Sequence, residues 1–308
     1  MQYHQPVLLQ ESVDALAIKP QGIYVDVTFG GGGHSAHILQ QLQGGHLYAF
    51  DQDTDAEEQA EKLASGSFTF VKSNFRYLKK YLRLYGVRQV DGILADLGVS
   101  SHQFNTAERG FSTRFDGPLD MRMDKESPLS AKQLVNEYSE EQLHRIFGLY
   151  GEVKNAKTLA REVVYARNVR TIETIADFKE AIAGCTPKGK ENKYLAQVFQ
   201  ALRIEVNDEL KALEEMLEQA AEVLKPGGRL SVISYHSLED RLVKNFIAKG
   251  KFFGEVEKDF FGNEIKPLDS VIRKPIVPGA QELQENNRSR SAKLRIAEKR
   301  ETPESSKK

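Results

Sequence analysis

The segment Asp26-Val-Thr-Phe-Gly-Gly-Gly-Gly-His-Ser35 decides the fold class of this 308-residue chain. The apolar stretch that leads into Asp26 predicts a buried strand, and residues 34–42 carry apolar side chains at helical spacing. A strand, a glycine-rich turn and a helix in this order bind phosphates or dinucleotides in many α/β folds. The segment therefore predicts a cofactor-binding turn at the start of an α/β domain.

The glycine run does not fit the G-x-G-x-x-G fingerprint of dinucleotide-binding proteins. The acids around the run therefore have to indicate which cofactor it binds. Asp26 lies four positions before Gly30, which is typical of methyltransferases that use S-adenosylmethionine. Asp51 follows Gly30 by 21 residues and ends a second predicted strand. A carboxylate there can accept hydrogen bonds from both ribose hydroxyls. An NAD site needs the same acid, so a nucleotide-linked oxidoreductase stays an alternative at this point.

The order of the predicted elements indicates the domain organisation. Further strands at about residues 46–50, 68–71 and 90–97 alternate with helices, which predicts a parallel sheet covered on both faces. Residues 130–204 have an almost entirely helical pattern, and a fifth strand follows at 229–234. Two domains in succession are one interpretation. The simpler one is an α/β domain formed by residues 1–106 and 205–298, an inserted helical substrate-recognition domain at 107–204, and a disordered tail at 299–308.

Composition excludes several classes of protein. The chain has 43 Lys and Arg against 44 Asp and Glu, and its 40% of hydrophobic residues suffices for a sizeable core. The one cysteine, Cys185, excludes a disulfide framework or a cysteine-ligated metal cluster within one chain, and we predict no metal site. No apolar stretch approaches the ~20 residues of a membrane span, and no secretory signal is visible. We expect a soluble cytoplasmic protein with no membrane partner.

Several motifs together carry a specific resemblance to one family. They are Tyr3-His-Gln-Pro-Val-Leu-Leu-Gln-Glu11, the glycine segment 26–35, Asp96-Leu-Gly-Val-Ser-Ser-His-Gln103, Ala107-Glu-Arg-Gly-Phe111, Asp116-Gly-Pro-Leu-Asp-Met-Arg-Met-Asp124, Phe199-Gln-Ala-Leu-Arg-Ile204, Ser234-Tyr-His-Ser-Leu-Glu-Asp-Arg241 and Asn287-Arg-Ser-Arg-Ser-Ala-Lys-Leu-Arg295. Over residues 2–298 the chain resembles the bacterial 16S ribosomal RNA (cytosine-N4) methyltransferases.

The resemblance implies a fold, a cofactor and a substrate. The fold is a class I, Rossmann-like methyltransferase with a doubly wound sheet and an inserted helical domain. S-adenosyl-L-methionine donates a methyl group to the exocyclic amine of a cytidine in the decoding (P-site) region of 16S ribosomal RNA, within the small subunit. The positions that match the family's cofactor contacts are Gly32, Gly33, His34, Asp51, Phe75, Asp96 and Gln103.

The chemistry of an amine target suggests which groups act in catalysis. The cytosine amine is a poor nucleophile because its lone pair is shared with the ring, and a hydrogen-bond acceptor would draw that lone pair out of conjugation. Asp96, at the end of the fourth strand, is the first candidate, although the resemblance assigns it to the cofactor. His236, just after the fifth strand, is the second candidate, with a purely structural hydrogen bond as the alternative.

The lone cysteine bears on which atom is methylated. Methylation at C5 of cytosine needs a thiolate that attacks the ring. Cys185 lies in a basic loop of the predicted insertion rather than at a strand end, so the sequence disfavours carbon methylation.

An RNA substrate requires basic groups along its backbone. Two arginine-rich segments supply candidates, and the first also offers Phe111 and Phe115 for stacking. A non-catalytic ribosome-assembly factor with a vestigial cofactor pocket is the remaining alternative. The predicted RNA-binding residues are Arg109, Arg114, Arg122, Arg288, Arg290, Lys293 and Arg295.

Overall fold

A computed structural model describes residues 6–301, and the chain divides into two compact units. The first unit comprises Met1–Gly98 and Leu210–Lys308, and the second comprises Val99–Glu209. The predicted α/β domain is thus discontinuous, and the second unit follows the fourth strand. The predicted bounds of the insertion, 107 and 204, fall inside the second unit and stay a prediction.

The amino-terminal half of the first unit alternates strands and helices, as the sequence predicts. Its strands are short and apolar because both faces of the sheet are covered, and in the fourth strand every residue but Asp96 is buried. In chain order the elements are α1 (Leu9–Asp14), β1 (Ile23–Asp26), α2 (Gly33–Leu39), β2 (His46–Asp51), α3 (Glu57–Glu61), β3 (Phe68–Lys72), α4 (Leu78–Leu84) and β4 (Val90–Asp96).

The second unit is helical and encloses its own apolar core. Capping boxes mark several helix starts in this unit, including those formed by Ser139 with Gln142 and by Thr174 with Asp177. Its helices are α5 (Ser101–Asn105), α6 (Ala131–Glu137), α7 (Glu140–Leu149), α8 (Ala156–Val169), α9 (Ile175–Ile182) and α10 (Glu191–Asn207).

The rest of the chain completes the sheet. The remaining elements are α11 (Glu209–Val223), β5 (Leu224–Ser234), α12 (Ser237–Lys249), β6 (Glu257–Lys258), β7 (Glu264–Ile265), β8 (Leu268–Ser270), α13 (Ala280–Glu285) and β9 (Lys293–Lys299). The seven-stranded sheet has the order β3-β2-β1-β4-β5-β9-β8, and β6 and β7 form a separate hairpin. This is the class I methyltransferase architecture that was expected.

Several sequence predictions in this part need correction. The sheet is not wholly parallel, because β9 runs antiparallel to β5 and to β8. The predicted tail also begins too early. Lys299 belongs to β9 and donates from Nζ to the Ala221 carbonyl at 2.7 Å. Residues 302–308 of that tail lie outside the described residues.

No helix within residues 6–301 is both long and apolar enough to cross a membrane.

The side chain of Asn207 ties a loop of the second unit to the end of α10. Its Oδ1 accepts from the Met123 amide at 2.7 Å, and its Nδ2 donates to the carbonyls of Met121 and Arg203 at 2.8 and 2.9 Å. A loop segment without regular structure depends on such bonds, because its backbone groups have no ladder partners.

Replacement of Asn207 by Ala should destabilise the chain, because it leaves a half-buried amide and two carbonyls without these partners. We expect the free energy of unfolding to fall by about 1–3 kcal/mol. Urea titration followed by circular dichroism measures the change. Asn168→Ala, at an exposed position of α8, is the control and should change it by less than about 0.5 kcal/mol. Equal midpoints for both variants would contradict this role of Asn207.

Candidate active site

The glycine turn is held by a fully buried carboxylate at the end of β1. Asp26 Oδ1 accepts from the Thr28 amide at 3.0 Å, and Oδ2 accepts from Ser35 Oγ at 2.7 Å. Burial raises the pKa of Asp26, and the neighbouring His34 and these hydrogen bonds partly oppose the increase. Asp26 therefore connects the end of the strand to the first turn of α2 and fixes the path of the turn between them.

Two of the predicted cofactor glycines are also required by the packing of the turn. Gly32 has φ +79°, and a Cβ at this position would lie 2.8 Å from the Phe29 ring. A Cβ on Gly33 would lie 2.2 Å from Cγ of Pro6, so the amino-terminal segment passes directly over the start of α2. Their contact with the cofactor stays a prediction.

Asp51 ends β2 and receives two backbone amides. Its Oδ2 accepts from Gly30 N at 2.8 Å, and its Oδ1 accepts from Asp53 N at 2.9 Å. Burial raises the pKa of Asp51 to about 6, while these two hydrogen bonds act in the opposite direction. Each carboxylate oxygen keeps a second lone pair, so the group can accept the two ribose hydroxyls that the sequence analysis assigned to it.

Asp96 ends β4 and forms a pair that the sequence analysis did not predict. Its backbone amide donates to Thr28 Oγ1 at 2.6 Å, and Oδ1 accepts from the Tyr235 hydroxyl, also at 2.6 Å. Oδ2 lies 3.8 Å from Nδ1 of His34, whose Nε2 is 3.2 Å from the Val7 carbonyl. Burial raises the pKa of Asp96 to about 7, the Tyr235 hydrogen bond lowers it, and the charges of Glu239 and Glu282 raise it.

Tyr235 is the site residue that sequence reasoning missed. It directly follows β5, and its motif, Ser234-Tyr-His-Ser, drew attention only to the histidine. Burial and the charge of Asp96 raise the pKa of the Tyr235 phenol, so it donates its proton to the carboxylate rather than losing it. Its ring lies against Gly98, where a Cβ would come within 3.4 Å. The position of the tyrosine after the neighbouring parallel strand was the available signal.

The electrostatic environment of these acids is negative. The charges that act most strongly on Asp51 belong to Asp53 and Asp26, and those on Asp96 belong to Glu239 and Glu282. His34 is nearly buried, and burial lowers its pKa, so it is neutral at pH 7. Such surroundings stabilise a cation and repel a pyrophosphate.

The second catalytic candidate, His236, has a structural role in α12. Its Nδ1 accepts from the Glu239 amide at 3.4 Å, and its Nε2 lies 3.1 Å from Glu239 Oε1. The imidazole is only 9% exposed, and its Nε2 has no hydrogen-bond partner among the described residues. A role of His236 in binding the base stays a prediction.

Two other predicted cofactor residues lie at the starts of short helical turns. Phe75 follows β3, is half-buried against the core, and begins a turn that Asn74 caps by accepting from the Arg76 amide at 3.0 Å. Gln103 belongs to the second unit, where its Oε1 accepts from Ser100 N at 3.0 Å in the cap of α5. The cofactor contacts of both residues stay predictions.

Most of the predicted RNA-binding cations have partners within the protein. Arg109 is 6% exposed and donates to the carbonyls of Arg122 and Met123. Arg122 forms a bidentate pair with Asp120, and Lys293 and Arg295 both contact Asp240. The guanidinium of Arg114 lies 5.9 Å from the centre of the Phe104 ring, and Arg290 is exposed while Arg288 is half-buried. RNA contacts by these residues stay predictions.

Loss of the Thr28 hydroxyl should weaken the turn, because Thr28 Oγ1 accepts the backbone amide of Asp96. Thr28→Val keeps the shape of the side chain and leaves that amide without this acceptor, which should cost about 1–3 kcal/mol of unfolding free energy. Urea titration measures the loss. Thr28→Ser retains the hydroxyl and should keep most of the stability. A Val variant as stable as the Ser variant would show that the hydrogen bond contributes little.

Comparisons with known proteins place the chain among RNA methyltransferases. Residues 1–300 match the model of the MraW methylase family. The chain is 61% identical over 297 residues to the ribosomal RNA small subunit methyltransferase H of Cytophaga hutchinsonii, covering 96% of this chain and 99% of that protein. It is 59% identical to the protein of the same name from Flavobacterium johnsoniae, over 97% of this chain and 98% of the relative.

A similar solved structure is that of a putative methyltransferase from Streptococcus mutans in complex with SAH. The match covers 97% of this chain and 99% of the solved chain, at 15% identity and a TM-score of 0.41.

The family match confirms the predicted reaction class and the predicted cofactor, S-adenosylmethionine. The chain belongs to the MraW methylase family.

Proposed function

We propose that this protein methylates the exocyclic N4 of a cytidine in the decoding (P-site) region of 16S ribosomal RNA, within the small ribosomal subunit and in the cytoplasm. The relatives at about 60% identity are named for the small-subunit RNA, and the motif resemblance specifies the cytosine amine. The observation that carries the proposal is the carboxylate of Asp96, which lies at the carboxyl end of β4 and is held by Tyr235.

Asp96 supplies the acceptor that a cytosine amine requires. S-adenosylmethionine, when bound, provides an activated methyl group. The ionised carboxylate of Asp96 accepts a hydrogen bond from the amine, which draws the lone pair out of conjugation with the ring and aligns it for in-line attack. Tyr235 holds one carboxylate oxygen in place, so the other oxygen is available to the substrate.

The charges around the site agree with the cofactor of the family, S-adenosylmethionine, rather than with a dinucleotide. Asp26 and Asp51 accept hydrogen bonds from backbone amides of the turn, and Asp96 lies 3.8 Å from His34 at its end. A sulfonium carries one positive charge and is stabilised there, whereas the two negative charges of a pyrophosphate would be repelled. Calorimetry with S-adenosylmethionine and with NAD separates the two alternatives directly.

The state of Cys185 supports nitrogen rather than carbon as the methylated atom. Its Sγ lies 3.2 Å from the Ile182 carbonyl and 3.7 Å from the Tyr194 hydroxyl, in the second unit. Burial raises the pKa of the Cys185 thiol, which keeps it protonated at neutral pH. A protonated, half-buried thiol is a poor nucleophile for attack on a cytosine ring.

The proposed reaction predicts a defined nucleoside product. We expect the purified protein to convert one cytidine of small subunits from a strain that lacks the corresponding gene to N4-methylcytidine, measured by mass spectrometry of the digested RNA. Asp51→Ala should abolish most of this activity through loss of cofactor affinity, and Cys185→Ser should retain it. An unmodified cytidine with wild-type protein would favour the assembly-factor alternative, and 5-methylcytidine would contradict the choice of atom.

A second prediction follows from the pKa of Asp96. The acceptor must be ionised, so kcat/KM should fall as the pH decreases through about 7. Because the Tyr235 hydrogen bond lowers the pKa of Asp96, Tyr235→Phe should shift this acid limb to higher pH. The variant should therefore be impaired at pH 6.5 and largely recover at pH 9.

Two controls make this test specific. Tyr81→Phe removes a hydroxyl from α4 and should leave the profile unchanged. Asp96→Asn should lose the acid limb together with most of the activity at every pH. A Tyr235→Phe profile with the wild-type pKa and a uniformly lower rate would show that Tyr235 serves only to pack the site.

A further inference from the structure

The second unit carries a cluster of exposed lysines that the proposed catalytic site does not use. The cluster, which we call the lysine surface, combines the start of α8 with the loop before α10 and the first turn of α10. All five side chains are exposed. The lysine surface consists of Lys154, Lys157, Lys188, Lys190 and Lys193.

Hydrogen bonds between distant parts of the sequence bring these segments together. Asn155 Nδ2 donates to the Cys185 carbonyl at 2.9 Å, which joins the start of α8 to the beginning of the loop. Gln197 Nε2 donates to the carbonyls of Gly151 and Glu152 at 3.0 and 3.3 Å. Lys193 lies about one helical turn before Gln197, and Lys154 directly precedes Asn155, so the lysines border one surface.

The lysines of this surface outnumber the acids beside them in the sequence, Glu152 and Glu191. Within residues 6–301, none of its five ammonium groups forms an ion pair. The nearby carboxylate of Glu191 instead accepts from the Gly189 amide at 2.8 Å. Arg122, Lys293 and Arg295, by contrast, all contact acids of the same chain. Like charges held together repel each other, and an anionic ligand would remove that repulsion.

An exposed aromatic ring extends the surface along α8. Lys157, Arg161 and Tyr165 are spaced four residues apart, so they lie on one face of this helix. Tyr165 is 69% exposed, although a large ring is usually covered. Cations next to an exposed ring are the combination by which proteins bind single-stranded nucleic acid, through phosphate contacts and base stacking.

We propose that the lysine surface binds the phosphate backbone of the RNA substrate and that Tyr165 stacks on an unpaired base beside it. This inference rests on the proposed function, since it identifies where the second unit holds that RNA. Lysine carries a point charge on a flexible side chain, so it can contact backbone phosphates without requiring a fixed geometry. The surface therefore contributes affinity for RNA, whereas the choice of cytidine is made elsewhere.

The test compares two triple variants. The first variant is Lys188→Gln/Lys190→Gln/Lys193→Gln. We expect its KM for small ribosomal subunits to increase on the order of tenfold, because lost phosphate contacts weaken binding. Its kcat should stay near the wild-type value. Lys244→Gln/Lys258→Gln/Lys274→Gln removes the same charge from exposed positions of the first unit and should leave KM within twofold. Thermal unfolding of both variants checks that they fold.

The salt dependence of RNA binding gives a second readout that does not depend on activity. Filter binding of a 16S ribosomal RNA transcript at several salt concentrations should show a slope shallower by about 0.7 for each lost contact with a single-stranded phosphate. Tyr165→Ala should weaken binding with the slope unchanged, because stacking releases no counterions. Lys154→Gln/Lys157→Gln should behave as the first triple variant does, to a smaller extent.

Several results would overturn the inference without affecting the proposed function. One is a folded Lys188/Lys190/Lys193 variant that methylates subunits with unchanged KM and binds the transcript with an unchanged salt slope. Another is an increased KM for subunits with normal affinity for the transcript, which would assign the surface to an acidic protein of the subunit. Failure of the wild-type protein to form N4-methylcytidine would instead contradict the proposed function, whatever the binding data show.

Discussion

The structure of the first unit depends on carboxylates that are wholly or partly buried at the ends of adjacent parallel strands. Asp51, Asp26 and Asp96 end β2, β1 and β4, which are neighbours in the sheet. A buried carboxylate is costly unless its oxygens are hydrogen-bonded. Here backbone amides and the hydroxyls of Ser35 and Tyr235 provide those bonds, and they determine the path of the glycine turn at the same time. The same interactions thus stabilise the turn and orient the residues that we predict to bind the cofactor.

The sequence predicts this arrangement well because it depends on order along the chain. An acid that follows a buried strand must lie at the carboxyl edge of the sheet, so Asp26, Asp51 and Asp96 could be identified from spacing alone. The position of Tyr235 after β5 could be predicted in the same way, but its bond to Asp96 could not, because that bond joins residues 139 positions apart. β9 was also missed, since Lys293 and Arg295 made its alternating pattern resemble a basic RNA-binding segment rather than a half-buried strand.

Charge patterns in the sequence are a weaker guide to which cations the fold pairs with its own acids. The arginines in the matched motifs attract attention, but Arg109 is buried against backbone carbonyls and Arg122 is paired with Asp120. Sequence shows where a cation is, but it does not show whether the fold supplies its counter-charge. The lysines at 188, 190 and 193 lie outside the eight motifs, and only the structure shows that acids do not neutralise them. Neither unit carries a large net charge, so the overall value of −1 does not reveal a local cluster of lysines.

The pKa of Asp96 reconciles two demands of the proposed reaction. An acceptor with the pKa of an ordinary carboxylate would bind the amine weakly, whereas a much stronger base would be protonated at pH 7 and could not accept at all. Burial alone would raise the pKa of Asp96 toward that of the stronger base, and the acids Glu239 and Glu282 also raise it. The Tyr235 hydroxyl opposes them by stabilising the ionised form. Because its own pKa is raised, Tyr235 can do so without transferring its proton to the carboxylate. The tyrosine thus keeps a partly buried carboxylate ionised, while the His34 imidazole, 3.8 Å from its other oxygen, is neutral.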